Sequence, residues 1–177
     1  MRSAAGTAAQ PEPWLRGPLA GVDPLVMPAA HALMQSREDI ERFAAPLTTA
    51  QIWTRIPGTA ATIGFHLKHV AGSIDRLLTY CDGRVLDEGQ RRALAAEAVA
   101  GQPAASAATL IAEVEQAIDR ALQVIRQTPR AQLTQPRTVG RAALPTTVHG
   151  LLFHIAEHTQ RHTGQIITSA QVAAATA

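Results

Sequence analysis

Histidines at helical spacing are the residues of this chain best suited to chemistry. His158 and His162 are four residues apart, and His154 lies one turn earlier. His158 follows Leu151 by seven residues and His162 follows Ile155 by seven. Positions seven apart share a helix face to within about 20°. The two imidazoles therefore continue the apolar stripe Val148, Leu151, Ile155 and point where leucine would be expected. At this spacing their Cβ atoms are about 6 Å apart, and one metal ion with bonds of about 2.1 Å can take a nitrogen from each. A lone inward histidine is ordinarily a hydrogen-bonded core residue, but two on one stripe each need a buried partner.

A second segment carries His66 and His69. At 100° per residue, His66 lies close to the Val70 edge of that segment's apolar stripe and His69 sits further round. Periodicity favours His66 as a third ligand, or leaves both at the boundary. Gly72 and Ser73, one turn later, leave space beside His69 and favour it instead. Two metalloenzyme patterns are excluded. A zincin needs Glu directly after its first His, whereas Ile155 follows His154 and Thr159 follows His158. A ferritin-like di-iron site needs paired Glu-x-x-His, and no such tetrapeptide occurs.

Four long helices must position these residues. The chain has 177 residues, 46% hydrophobic, 17% charged and only 3% aromatic. That length suits one domain, and that balance can bury a core. Abundant alanine favours helix and close helix packing. Apolar residues at three- and four-residue steps, punctuated by Pro and Gly, predict helices over 24–45, 60–81, 106–127 and from Pro145 to about 172. Thr59 is the expected N-cap of the second, and Pro145 suits the first turn of the fourth. Short helices are expected at Thr49–Trp53 and Arg91–Ala100, and residues 130–144 read as a loop. About twenty residues separate the second and third long helices. That is enough to run the length of a bundle and join two parallel neighbours. The expected fold is all-α: a four-helix bundle with one long crossover between helices 2 and 3, over 22–174, preceded by a flexible lead-in at 1–21.

Composition bounds partners and compartment. Net charge is +2 and the sequence pI is about 9.3. The arginines are scattered, and Arg91–Arg92 is the only adjacent basic pair. Nucleic-acid binding needs a concentrated patch, so none is expected. No apolar run approaches the 18 or so residues of a membrane span, and Met1–Ala20 lacks a signal peptide's apolar block. Cys81 is the single cysteine, so no intrachain disulfide forms and a reducing, cytoplasmic setting is expected. With no electropositive neighbour, Cys81 is read as an unreactive core residue. Asp75 and Arg76 are read as a solvated or interhelical pair.

The run Gly64-Phe-His-Leu-Lys-His-Val-Ala-Gly-Ser-Ile-Asp-Arg-Leu-Leu, followed by His154-Ile-Ala-Glu-His-Thr-Gln-Arg-His-Thr-Gly-Gln-Ile, resembles the DinB-like superfamily. His69-Val70-Ala71 matches the family's second-helix pattern. His158, His162, Gly164 and Gln165 match its last-helix pattern H-x-x-x-H-x-G-Q. The resemblance implies a four-helix bundle with one long crossover and a metal site at His69, His158 and His162. By position His66 and His154 are candidates to line the pocket, with a structural role as the alternative, and Gln165 either hydrogen-bonds nearby or faces solvent. The expected cofactor is one divalent transition metal, zinc or nickel foremost, although imidazole suits copper and iron as well and ligand type alone does not choose among them.

Family members include transferases and isomerases that use low-molecular-weight thiols, and dimers are common among them. The implied function is therefore a metal-dependent enzyme that activates a thiol or water, with a small-molecule thiol as partner and a homodimer as assembly. No separate general base is evident. The alternatives are a metal clip without catalysis, in which His66 or His154 supplies a fourth ligand, and a helical interaction module without metal. Gly164 costs a helix about 1 kcal/mol relative to Ala and is read as a point of close helix packing.

Overall fold

The computed structural model describes residues 10–175 of the chain. Four long helices dominate: α1 (Met27–Ala44), α3 (Ile63–Cys81), α5 (Ala107–Gln127) and α6 (Val148–Ala175). Two short ones, α2 (Thr49–Trp53) and α4 (Glu88–Ala95), lie in the connections, and a hairpin of β1 (Pro136–Val139) and β2 (Leu144–Thr147) precedes α6. The fold is all-α apart from that hairpin. Among the described residues no helix is long and apolar enough to cross a membrane.

Side-chain contacts fix the helix directions. His66 meets His162 and His69 meets His158, so α3 and α6 are antiparallel. His149 reaches Leu25, and Gln160 donates to Ala32 O, so α1 and α6 are parallel. Arg130 pairs with Asp23 and Arg37 with Asp119, so α5 opposes α1. Hence α3 and α5 run the same way and pack side by side. The connection between parallel neighbours must return the full length of the bundle, and residues 82–106, with α4 inside them, do so.

Local chemistry accounts for the helix ends. Thr62, not Thr59, caps α3: its hydroxyl accepts from Phe65 N at 3.1 Å. The Thr59 hydroxyl instead donates to Ile56 O at 2.8 Å across the Pro57–Gly58 turn. Helix α4 starts earlier than Arg91 because Asp87 and Gln90 form a reciprocal capping box. Pro145 lies in β2 opposite Thr138 rather than in a first helical turn, so α6 begins three residues later. The expected loop at 130–144 thus contains most of a hairpin, which alternation of apolar and polar residues did not announce.

The N-terminal lead-in falls partly outside the described residues, at 1–9. Residues 10–21 lie against α1. Arg16 pairs with Glu38, and His31 Nε2 is 3.1 Å from Gly17 O.

The core row of α3, Ile63, Leu67, Val70 and Ile74, is at most 1% exposed. The facing row of α6 is Leu152, Ile155, Thr159, Thr163 and Ile166. Its centre is therefore held by two threonines, and His158 and His162 occupy its α3-side edge, half-buried. This corrects the expectation of imidazoles pointing straight into the stripe. A 100° step per residue moves them off the axis of the core. Trp53 of α2 secures the upper end of α3. Its indole lies so close to Gly64 that a Cβ there would stand 2.8 Å from the ring, and its Nε1 donates to Ala105 O at 2.8 Å.

Candidate metal centre

His69, His158 and His162 each present a nitrogen, and the three nitrogens lie within 4.8 Å of one another. His69 Nε2 is 3.0 Å from His158 Nε2. The His162 ring centroid is 4.5 Å from that of His69 and 4.6 Å from that of His158. At tetrahedral angles, bonds of about 2.1 Å place ligand nitrogens about 3.4 Å apart, so the three rings share one ion after side-chain shifts on the order of 1 Å. The antiparallel packing of α3 on α6 produces this convergence: residues three apart on one helix face residues four apart on the other.

Protonation states suit metal binding. Burial, with the neighbouring His69, pushes His66 down to about 4. Burial and the surrounding imidazoles push His158 to about 4 and His162 to about 3. All three are neutral near pH 7, with lone pairs to offer.

Glu97 orients His69. It is 4% exposed, and its Oε2 is 2.6 Å from His69 Nδ1. The carboxylate can only accept there, so Nδ1 carries a proton, and in the neutral ring Nε2 then presents its lone pair toward His158. This is the carboxylate–histidine arrangement that fixes tautomer and ring angle at metal sites. Burial alone would raise the Glu97 pKa, but the hydrogen bonds from His69 and Arg76 outweigh it and hold the carboxylate below its ordinary range. Arg76 Nη1 donates to Glu97 Oε1 at 2.7 Å. Arg76 is thus buried and paired with the crossover, not with Asp75, which accepts from Gln90.

Residue 97 arrives from the crossover, and α3 grips that segment with Lys68. Its ammonium donates to Ala96 O at 2.9 Å and Val99 O at 2.8 Å. The space beside Gly72 is filled by this ion pair: a Cβ there would stand 2.6 Å from Glu97 Oε1 and 2.7 Å from Arg76 Nη1. Gly72 therefore makes room for the group that orients His69, rather than for the ring itself. Sequence reasoning missed Glu97. The one available signal was a lone acidic residue in the alanine-rich run that follows α4.

The remaining predicted residues divide between two cavities. His66 is 4% exposed, and its Nδ1 is 3.0 Å from His162 Nδ1, so one of the two nitrogens carries a proton between them. It lines a groove of about 400 Å³ with Arg161, Gly164 and Gln165. His154 is exposed and bound to Glu157. It lines a cavity of about 280 Å³ with His69, His158, Tyr80 and Leu94. Gly164 has nothing within 4 Å of where a Cβ would sit, so it opens onto the groove and no helix packs closely there. His158 Nδ1 is buried without a partner among the described residues, so this ring has no counterpart of Glu97 and is oriented by packing and by its Nε2 contact with His69. His31 and His149 lie elsewhere and contact backbone carbonyls. Cys81 is buried, and burial pushes its thiol up to about 12.

No curated protein matches this chain closely enough to be called a relative. The family model described as the DinB superfamily matches residues 32–166, from within α1 to within α6 and across the whole histidine cluster, and the chain belongs to that superfamily.

Proposed function

We propose that this protein is a metal-dependent enzyme that holds one divalent transition ion, zinc or nickel, at His69, His158 and His162 and uses it to activate a thiol or a water molecule. The observation that carries this reading is the chain of contacts from Glu97 through His69 to His158, in which a buried carboxylate fixes one imidazole with its lone pair facing a second. An ion bound by three neutral imidazoles keeps its full charge and lowers the pKa of a thiol or water that reaches it.

The residues of the chain do the rest. Glu97 holds the Nδ1 proton of His69, and Arg76 and Lys68 hold Glu97 and its segment. His66 braces the ring of His162. The apolar rows of α3 and α6 exclude water from one side of the cluster. Cavities on the other side admit a small molecule from either end. A purely structural clip calls for a fourth protein ligand. His66 is engaged with His162 and His154 with Glu157, which favours an open, catalytic centre.

Protein purified without a histidine tag and analysed for metals, before and after reconstitution, tests the reading. Close to one equivalent of a transition metal per chain is expected. Less than about a tenth of an equivalent after reconstitution would overturn it, because a three-imidazole site of this kind binds such ions tightly at neutral pH.

A further inference from the structure

The cavity against His69 and His158 does not end at the metal centre. Tyr80, Leu86 and Leu94 form part of its wall and part of the wall of a second cavity of about 550 Å³, lined further by Val85, Arg91 and Arg141. The two spaces adjoin, with those three side chains as their common wall. One end of the resulting trough is imidazole, the middle is apolar and the far end is cationic. Val85 and Leu94 are 82% and 44% exposed, an apolar surplus at the rim that nothing among the described residues covers.

The cationic end is uncommitted. Arg92 pairs with Glu88 and Arg84 with Asp82, whereas Arg91 and Arg141 form no ion pair among the described residues. Arg91 is held at the edge by a bond from Nη1 to Leu86 O of 2.6 Å. Arg141 stands at the tip of the β1–β2 hairpin. We propose that this trough is a substrate site for a small amphipathic anion. Its carboxylate or phosphate is held by Arg91 and Arg141, its apolar body lies over Tyr80, Leu86 and Leu94, and its reactive end reaches His69 and His158. The reactive end rests on the metal reading above; the anionic end does not.

Charge complementarity selects this occupant over a neutral one, since two guanidiniums without carboxylate partners favour an oxyanion. Adjacency to the histidine cluster selects a small molecule over a protein surface, because a concave space with apolar walls and a few convergent polar groups is the form of a ligand site. The hairpin thereby gains a role: it carries Arg141 to the mouth of the trough.

The test uses cobalt(II)-loaded protein and mercaptopropionate, mercaptohexanoate and mercapto-octanoate, each compared with the hydroxyl-ended thiol of equal length. Binding is read from the sulfur-to-cobalt charge-transfer band. One of the longer carboxylates is expected to bind about tenfold more tightly than its neutral counterpart, the size expected of two partly exposed charged contacts. The preference is expected to disappear in the Arg91→Ala, Arg141→Ala double variant, whose side chains are exposed and whose melting temperature serves as a folding control. Equal binding of charged and neutral thiols at every length, or a preference that survives the double substitution, would overturn the proposal. A parallel calorimetric titration of octanoate into metal-free wild type and double variant reads the arginine end alone. Arginine-dependent binding there with no cobalt uptake would sink the metal reading and spare the trough. Cobalt uptake with no arginine dependence would do the reverse.

Discussion

Glu97 Oε2 and His69 Nδ1 are 2.6 Å apart although 28 residues separate them in the chain. The crossover that joins two parallel helices thus delivers the group that decides which nitrogen of His69 faces the cluster. Glu97→Gln keeps the shape and removes the charge. It is expected to weaken zinc binding about 10- to 100-fold, the usual cost of losing such a partner, as read by competition with a chromophoric chelator. An unchanged affinity would remove Glu97 from the site. Glu97→Ala is expected to cost more in stability, about 3 kcal/mol, because Arg76 is then left buried and unpaired.

Two glycines separate space that is occupied from space that is open. Gly72→Ala forces a methyl group against Glu97 and Arg76. It is expected to destabilise the fold by about 1–3 kcal/mol and to lower metal affinity with it. Gly164→Ala meets nothing and is expected to stabilise the helix by about 0.5–1 kcal/mol. Thermal melts of the two variants check both signs, and a Gly72→Ala protein as stable as wild type would contradict the crowding described here.

Acid sensitivity follows from the imidazoles. His66, His158 and His162 titrate at about 4, 4 and 3 in the folded protein, below the ordinary value near 6.5. As pH falls, the unfolded chain takes up these protons first, so acid favours unfolding. The metal-free protein is expected to lose stability steadily from about pH 6.5 to pH 4, the interval between the ordinary imidazole value and the lowered ones. Melting temperatures in a chelator-containing buffer series measure this, and a flat profile between pH 7 and 5 would contradict it.

Cys81 offers a probe of packing. With its thiol pushed up to about 12 by burial, it is expected to resist alkylation by iodoacetamide at pH 8 and to react readily once the chain is unfolded in guanidinium. Mass spectrometry of the two samples distinguishes them. Fast labelling of the folded protein would place the end of α3 in solvent.

The four long helices were legible because their apolar rows repeat at 3.6 residues and their ends carry Pro, Gly and capping residues. Thr62 competed with Thr59 for one cap, and only backbone geometry decides between two threonines three residues apart. The histidine pair of α6 was legible from spacing. His69 was not separable from His66 by periodicity, which correctly made His66 the more buried of the two. What distinguishes His69 is Glu97, a contact from a segment with no helical pattern of its own, and no local signal encodes such a contact. The hairpin escaped for a similar reason: its strands are four residues each and mostly exposed, so alternation had little to act on.

The imidazoles of α3 and α6 form a ladder whose rungs repeat every turn. Sliding α6 along α3 by one turn would set His158 against His66 and His154 against His69, and rings would still meet rings. The ladder therefore cannot tell one docking of the two helices from the next. That choice falls to the apolar rows beneath it and to the carboxylate waiting above a single rung, so the place where three imidazoles converge is written in side chains outside the trio.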